Sequence, residues 1–254
     1  MIVYDYLLKT ATIKQAGFLM LLDPDRIDPN RVPSLAAASA EAGVDAFLIG
    51  TSLLMSDHTS DVIKAIKKTT KIPAILFPGN WLQITPEADA ILFLSLISGR
   101  NPDYLITEQV RGAPLVKSHG IEPIPTGYIL VESGKQTSVE YISDTHPVPR
   151  DKYDIAKAHA LAGEYLGMKL IYLEAGSGAM ESVPDEMVAE VSEYISRPVI
   201  VGGGIVSPEE ANRKVMAGAS FVVIGNHFEK EQSRSLISEF ADAIHVRTAS
   251  EVLP

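Results

Sequence analysis

Hydrophobic positions along the chain fall into two alternating patterns. Short, continuous apolar runs recur at Phe18–Leu22, Ala46–Gly50, Ala74–Phe77, Ala90–Leu94, Pro125–Val131, Leu170–Leu173, Val199–Val201 and Phe221–Ile224. Continuity, rather than strict alternation, is the pattern of strands covered on both faces of a parallel sheet. Longer helix-like stretches separate them. Val32–Ala42 is small and apolar and stops before Gly43, a C-cap signal. Ser60–Lys68 is amphipathic, and Glu108–Arg111 marks the helix after the fourth strand. Asp151–Leu166 is the longest, and Pro184–Ser196 opens on a proline suited to the first helical position. Ser207–Ala217 begins Ser-Pro-Glu-Glu, with the serine as N-cap, and Glu229–His245 closes the series. Eight strands alternating with helices over 254 residues predict an α/β fold, one (β/α)₈ barrel domain spanning residues 1–254.

Two stretches break the alternation. Residues 78–89 carry Pro78, Gly79 and Pro86 and leave no room for a full crossover helix. The barrel is therefore expected to be modified, its third helix missing or replaced by an extended segment. Glu132–Arg150 is polar, with Gly134, Pro147 and Pro149, and reads as a long loop or small hairpin over the barrel mouth.

Composition narrows the function. The formal net charge is −10 and no basic cluster exceeds Lys67-Lys68, which argues against a nucleic-acid partner. An anionic ligand must then be held by local devices: backbone amides, helix N-termini or a metal ion. The sequence has no cysteine, so disulfides, thiol nucleophiles and cysteine metal sites are out. No apolar run is long enough to span a bilayer, and Asp5, Lys9 and Lys14 interrupt the N-terminal residues, so a signal peptide is not expected. A cytoplasmic enzyme is the expectation.

Candidate chemistry gathers where strands end, which is where barrels place active sites. Asp23 and Asp25 follow the first strand; a carboxylate there can bind Mg²⁺, or both can cap a turn through backbone N–H groups. Gly50-Thr51-Ser52 follows the second, where a hydroxyl at Ser52 can join Asp23 around a metal or simply cap a helix. Arg100, after the fourth strand, is either a second phosphate contact or a solvated charge. Tyr172-Leu173-Glu174-Ala175-Gly176-Ser177-Gly178 places a carboxylate at a strand end, beside small residues that let amides approach an anion. Gly202-Gly203-Gly204 and Gly225-Asn226-His227 end the seventh and eighth strands, the usual barrel phosphate site. The six histidines are scattered without metal-ligand spacing, and Ser177 lacks a nucleophile-elbow context.

These residues carry a resemblance. From about Gly17 to Phe228 the chain resembles the geranylgeranylglyceryl phosphate synthases and their bacterial relatives, the prenylglyceryl phosphate synthases, with Tyr172–Gly178 the most specific segment. Leu22–Asp25, Gly50–Ser52, Ser95–Pro102, Tyr165–Met168, Val201–Ile205 and Gly225-Asn226 add to it. The resemblance also implies a barrel lacking its third helix. It implies that the sn-3 hydroxyl of sn-glycerol 1-phosphate attacks C1 of a polyprenyl diphosphate and releases pyrophosphate, forming the first ether bond of an ether lipid. It assigns Mg²⁺ to Asp23 and Ser52. The glycerol phosphate site falls to Tyr172, Leu173, Glu174, Ala175, Gly176, Ser177, Gly178, Gly203, Gly204, Gly225 and Asn226, with Glu174 and Tyr172 catalytic. Leu21 stands where some bacterial relatives carry lysine, which points to the geranylgeranyl branch. A homo-oligomer and transient membrane contact, to meet the lipidic donor, are further expectations. Two other readings share the glycine loops: another phosphate-binding barrel enzyme, such as a sugar phosphate isomerase or a thiamine phosphate synthase relative, and a non-enzymatic phosphate-ligand sensor.

Overall fold

The computed structural model describes residues 2–56, 58–225, 228 and 233–246. Eight parallel strands close into a barrel in chain order: β1 Gly17–Leu22, β2 Ala46–Ile49, β3 Ala74–Leu76, β4 Ala90–Leu96, β5 Glu122–Leu130, β6 Leu170–Glu174, β7 Val199–Gly202 and β8 Phe221–Ile224. β8 pairs back onto β1, with Phe18 opposite Val222. The described α-helices are α1 Val3–Lys14, α2 Val32–Ala42, α3 Thr59–Thr69, α4 Glu108–His119, α5 Ser138–Ser143, α6 Tyr153–Tyr165, α7 Asp185–Tyr194, α8 Pro208–Met216 and α9 Arg234–Ile244.

Alternation along each strand splits the apolar residues into two layers. Leu19, Leu48, Ile75, Leu92, Ile124, Tyr172, Ile200 and Phe221 fill the barrel interior. Phe18, Phe47, Ile91, Ile171, Val201 and Val222 pack outward against the helices. Strands buried on both sides explain why the sequence runs were continuous.

The expected gap is present. Between β3 and β4 stands only a single 3₁₀ turn, Trp81–Gln83, capped by the Asn80 side chain, which accepts from the Leu82 N–H at 3.0 Å. In β4 the central residues Phe93 and Leu94 are half-exposed, whereas every residue of β2, β3, β6, β7 and β8 is buried.

Three local readings need correcting. Pro184 is the N-cap of α7, not its first helical residue. The segment after β5 is no hairpin: Val131 and Val148 form a parallel bridge, and the excursion between them contains α5. The N-terminal helix α1 was not expected. Its free N–H groups are satisfied by Glu122 of β5, which accepts from Val3 at 2.5 Å and Tyr4 at 3.1 Å, a cap more than 100 residues away in sequence. Of the last expected helix, Arg234–Ile244 is helical, while residues 229–232 lie outside the described part.

Candidate active site

The row Leu170, Tyr172, Glu174 points into the barrel by strand alternation, so Glu174 emerges at the mouth while Tyr172 lies one layer below. Glu174 is only 5% exposed. Its Oε1 accepts from the Gly176 N–H at 2.7 Å. Burial pushes its carboxyl up to about 7, against the opposing pull of the Tyr172 hydroxyl and the Gly176 N–H. The Tyr172 hydroxyl is itself buried and, among the described residues, has no well-directed hydrogen-bond partner. Burial and the neighbouring Glu174 hold that hydroxyl well above its ordinary value, so it stays a proton donor. Tyr172 stacks on Phe77 with ring centroids 5.3 Å apart and meets Tyr128 edge-on at 5.3 Å. Phe77 and Tyr128 line the cavity, whereas Tyr172, expected as a substrate contact, lies fully buried behind them and does not line it.

Glycine loops wall one side. Gly203 has φ of +80°, and a Cβ there would lie 2.2 Å from Glu174 Oε1 and 2.6 Å from the Gly176 nitrogen. The loops after β6 and β7 are thus pressed back to back, which only glycine permits. Ser177, Gly178, Gly203, Gly204 and Gly225 line one cavity together with Glu174. Leu173 and Ala175, expected as contacts, alternate outward into the helical layer, and neither they nor Gly176 line the cavity. Asn226 and His227 lie outside the described residues.

Asp23 and Ser52 face the opposite side of the same cavity, so the structure brings them together with Glu174. The hydroxyl bonded to Asp23 is that of Thr51, which donates to Oδ2 at 3.1 Å. Asp23 Oδ1 accepts from the Asp25 N–H at 3.0 Å, and Arg26 Nε stands 3.3 Å from Oδ2. Burial raises the Asp23 carboxyl above its ordinary value, with these partners pulling the other way. Asp25 does loop work: its two oxygens accept from the Met55 and Ser56 N–H groups at 2.7 and 2.8 Å. Both aspartates thus cap backbone N–H groups, and Asp23 in addition faces the cavity. No group of three or more His, Asp or Glu among the described residues is arranged to hold a metal ion. A cation here would rest on Asp23, a hydroxyl and oxygens of the ligand, which suits Mg²⁺.

Arg100 is not at the site. Its guanidinium donates to the Gly99 carbonyl at 2.7 Å and approaches His159 on the barrel exterior, so of its two readings the structure gives the solvated charge. Among the described residues, the one cationic side chain lining the cavity is Arg26. It directly follows Asp25 in the sequence, and only the geometry gives it a place.

The cavity, about 440 Å³, extends from the glycine loops past Glu174 into the gap left by the absent helix. Trp81, Ile84, Ile91, Phe93 and Gly112 line that apolar wing, and Val139 and Ile142 of α5 help to roof it. Gly112 faces Ile84 so closely that a Cβ would lie 2.8 Å from its terminal methyl.

Comparison with known proteins agrees with this geometry. Residues 11–244 match the model of the PcrB family. A geranylgeranylglyceryl phosphate synthase of Chitinophaga pinensis is 46% identical over 229 residues, covering 90% of each chain. One from Thermococcus gammatolerans is 44% identical over 238 residues, covering 92% of this chain and 94% of the relative. Among solved structures, (S)-3-O-geranylgeranylglyceryl phosphate synthase from Thermoplasma acidophilum, in complex with substrate sn-glycerol-1-phosphate, superposes with a TM-score of 0.91. It is 32% identical and covers 97% of this chain and 99% of its own. Thiamine phosphate pyrophosphorylase from Pyrococcus furiosus, 14% identical with a TM-score of 0.58, shares the fold.

Proposed function

This chain belongs to the PcrB family, and from that membership we propose that it is a prenyltransferase joining sn-glycerol 1-phosphate to a polyprenyl diphosphate, geranylgeranyl diphosphate first. The observation that carries the reading is one cavity with two characters and a buried carboxylate between them. Glycine loops stand on one side of Glu174, an apolar wing reaches into the third-helix gap, and Asp23 lies across the mouth.

The phosphate of the acceptor sits against the loops of Ser177, Gly178, Gly203, Gly204 and Gly225, where small residues let the backbone approach it. Its sn-3 hydroxyl meets Glu174. With a value of about 7, the carboxylate is ionised in a useful fraction near neutrality and basic enough to take a proton. The hydroxyl oxygen forms a bond to C1 of the prenyl group as the C1–oxygen bond to diphosphate breaks. The proton passes to Glu174 and pyrophosphate leaves. The Tyr172 hydroxyl lies beside the carboxylate and pulls against its raised value, and the apolar wing keeps water from the cation-like C1. Asp23 and Ser52 would hold Mg²⁺ with diphosphate oxygens; bound there, the ion offsets the negative charge of the leaving group. Arg26 faces the same diphosphate.

An isomerase has no use for the apolar wing, and a sensor has none for a carboxylate poised near neutrality. Cytoplasmic residence, a homo-oligomer and transient membrane contact belong to the same proposal. No described helix is long and apolar enough to cross a membrane. Exposed Leu53 and Met55 beside the cavity mouth suit brief contact with the lipid that carries the donor.

The test is transfer of labelled sn-glycerol 1-phosphate into an organic-extractable product, with Mg²⁺ and, separately, farnesyl, geranylgeranyl and longer prenyl diphosphates. Label should move most with geranylgeranyl diphosphate and not after chelation. Folded protein that moves no label with any donor would refute the assignment.

A further inference from the structure

The segment that replaces the third helix ends in a side chain with no place in the reaction described above. Gln83 is 1% exposed, and both ends of its amide are committed to one residue. Its Oε1 accepts from the Thr51 N–H at 3.2 Å, and its Nε2 donates to the Thr51 carbonyl at 2.8 Å. A side-chain amide here does what a neighbouring strand would do just past the end of β2. The rest of the junction is built around this contact. A Cβ on Gly79 would lie 2.4 Å from the Thr51 carbonyl and 2.9 Å from that of Ser52. Thr51 in turn donates to Asp23 Oδ2, and Ser52 follows it into the cavity wall.

From this geometry we infer that Gln83 is the positioning residue of the diphosphate end of the site. It fixes the Thr51 peptide and, through it, the Asp23 carboxylate and the Ser52 hydroxyl. The inference rests on the proposed placement of diphosphate and Mg²⁺ at Asp23 and Ser52. The glycerol phosphate end hangs from β6, β7 and β8, which Gln83 does not touch. Its loss should therefore be felt by one substrate and not the other. A Gln in the interior packing alone would affect both substrates equally, through stability.

The experiment compares Gln83→Met, which keeps the volume and removes both hydrogen bonds, with Gln83→Glu, which keeps the acceptor and sets a carboxylate oxygen against the Thr51 carbonyl. Apparent KM is measured for prenyl diphosphate, Mg²⁺ and sn-glycerol 1-phosphate. Either variant should raise the KM for prenyl diphosphate or the Mg²⁺ half-saturation by roughly tenfold, the scale of one lost buried hydrogen bond. The KM for sn-glycerol 1-phosphate should stay within about twofold. Gln83→Met combined with Thr51→Val should be less than additive, because both act through Asp23. Should Gln83→Met not fold, Gln83→Glu decides alone. Unchanged constants, or equal shifts for both substrates, would overturn the inference. Asp23→Asn separates the two layers. If it leaves Mg²⁺-dependent turnover intact, the placement of the diphosphate is wrong; if it abolishes turnover while the Gln83 variants behave as wild type, only the role of Gln83 is wrong.

Discussion

Each end of the barrel buries a carboxylate, and the two ends treat it in opposite ways. At the base, Asp45 is 3% exposed, and every oxygen has a partner: Lys14 at 2.6 Å, His245 at 2.7 Å and the Phe18 N–H at 2.8 Å. Burial alone would raise its carboxyl, but the hydrogen bond and charge of His245, then those of Lys14, hold it below the ordinary value. At the mouth, Glu174 is about as buried but, among the described residues, no cation lowers its value, and burial wins. The base ties α1 and the end of α9 to β1 and β2. The mouth keeps a carboxylate poised for protons, above a tyrosine hydroxyl without a well-directed partner. Satisfied charge stabilises, and under-satisfied charge is held ready for a ligand.

The strongest test of this contrast is Glu174→Gln. Turnover should fall by roughly 10²- to 10⁴-fold, the range of a lost general base, with the melting temperature not lowered. In the wild type, the rate should climb as pH rises through about 7, because only the ionised carboxylate accepts the proton. A rate independent of pH from 5 to 9 would remove Glu174 from that role.

Asp45→Asn should do the reverse. Folding should weaken by about 2–3 kcal/mol, less than the ~3–5 kcal/mol of a fully buried pair because Lys14 is a third exposed. Turnover per folded molecule should hold. The sign with pH also differs between the ends. Asp45, depressed in the fold, contributes stability above its unfolded value of about 3.9, and that contribution is lost as pH falls through the folded one. Glu174, raised in the fold, contributes below its unfolded value of about 4.3, and the contribution is lost as pH rises through about 7. Denaturant melts across pH should show Asp45→Asn flattening the acid side and Glu174→Gln the neutral side.

The smallest effect belongs to Arg26→Ala. With half its side chain in solvent, Arg26 should matter to the donor KM by only about three- to tenfold. A loss as large as that of Glu174→Gln would move the centre of the chemistry from the buried carboxylate to the rim.

Much of the mouth was legible because its residues break local rules. A glutamate ending a buried strand and glycines clustered after β7 stand out against ordinary strand and helix composition, and the prolines of residues 78–89 forbid a helix. The base was not legible. α1 depends on a cap from Glu122, and Asp45 on partners from both ends of the chain, so no window of sequence contains the interaction. Gln83 escaped for the same reason: a glutamine in a turn looks like surface until Thr51 is placed beside it. Arg100 was left between two readings because a guanidinium near a strand end says nothing about which side of the loop it takes, and the structure gives the solvated charge.

The absent third helix has a thermodynamic corollary. Helices elsewhere shield the outer face of the strands, but Phe93 of β4, on that face, is left half-covered, and the apolar wing of the cavity opens onto that gap. An isoprenoid placed there, as proposed above, would supply the missing layer. Ligand that binds only the folded state adds about 2.7 kcal/mol at a concentration of 100 Kd. On the proposed placement of the donor, an unreactive analogue with a full-length tail should protect the protein from heat far better than pyrophosphate does.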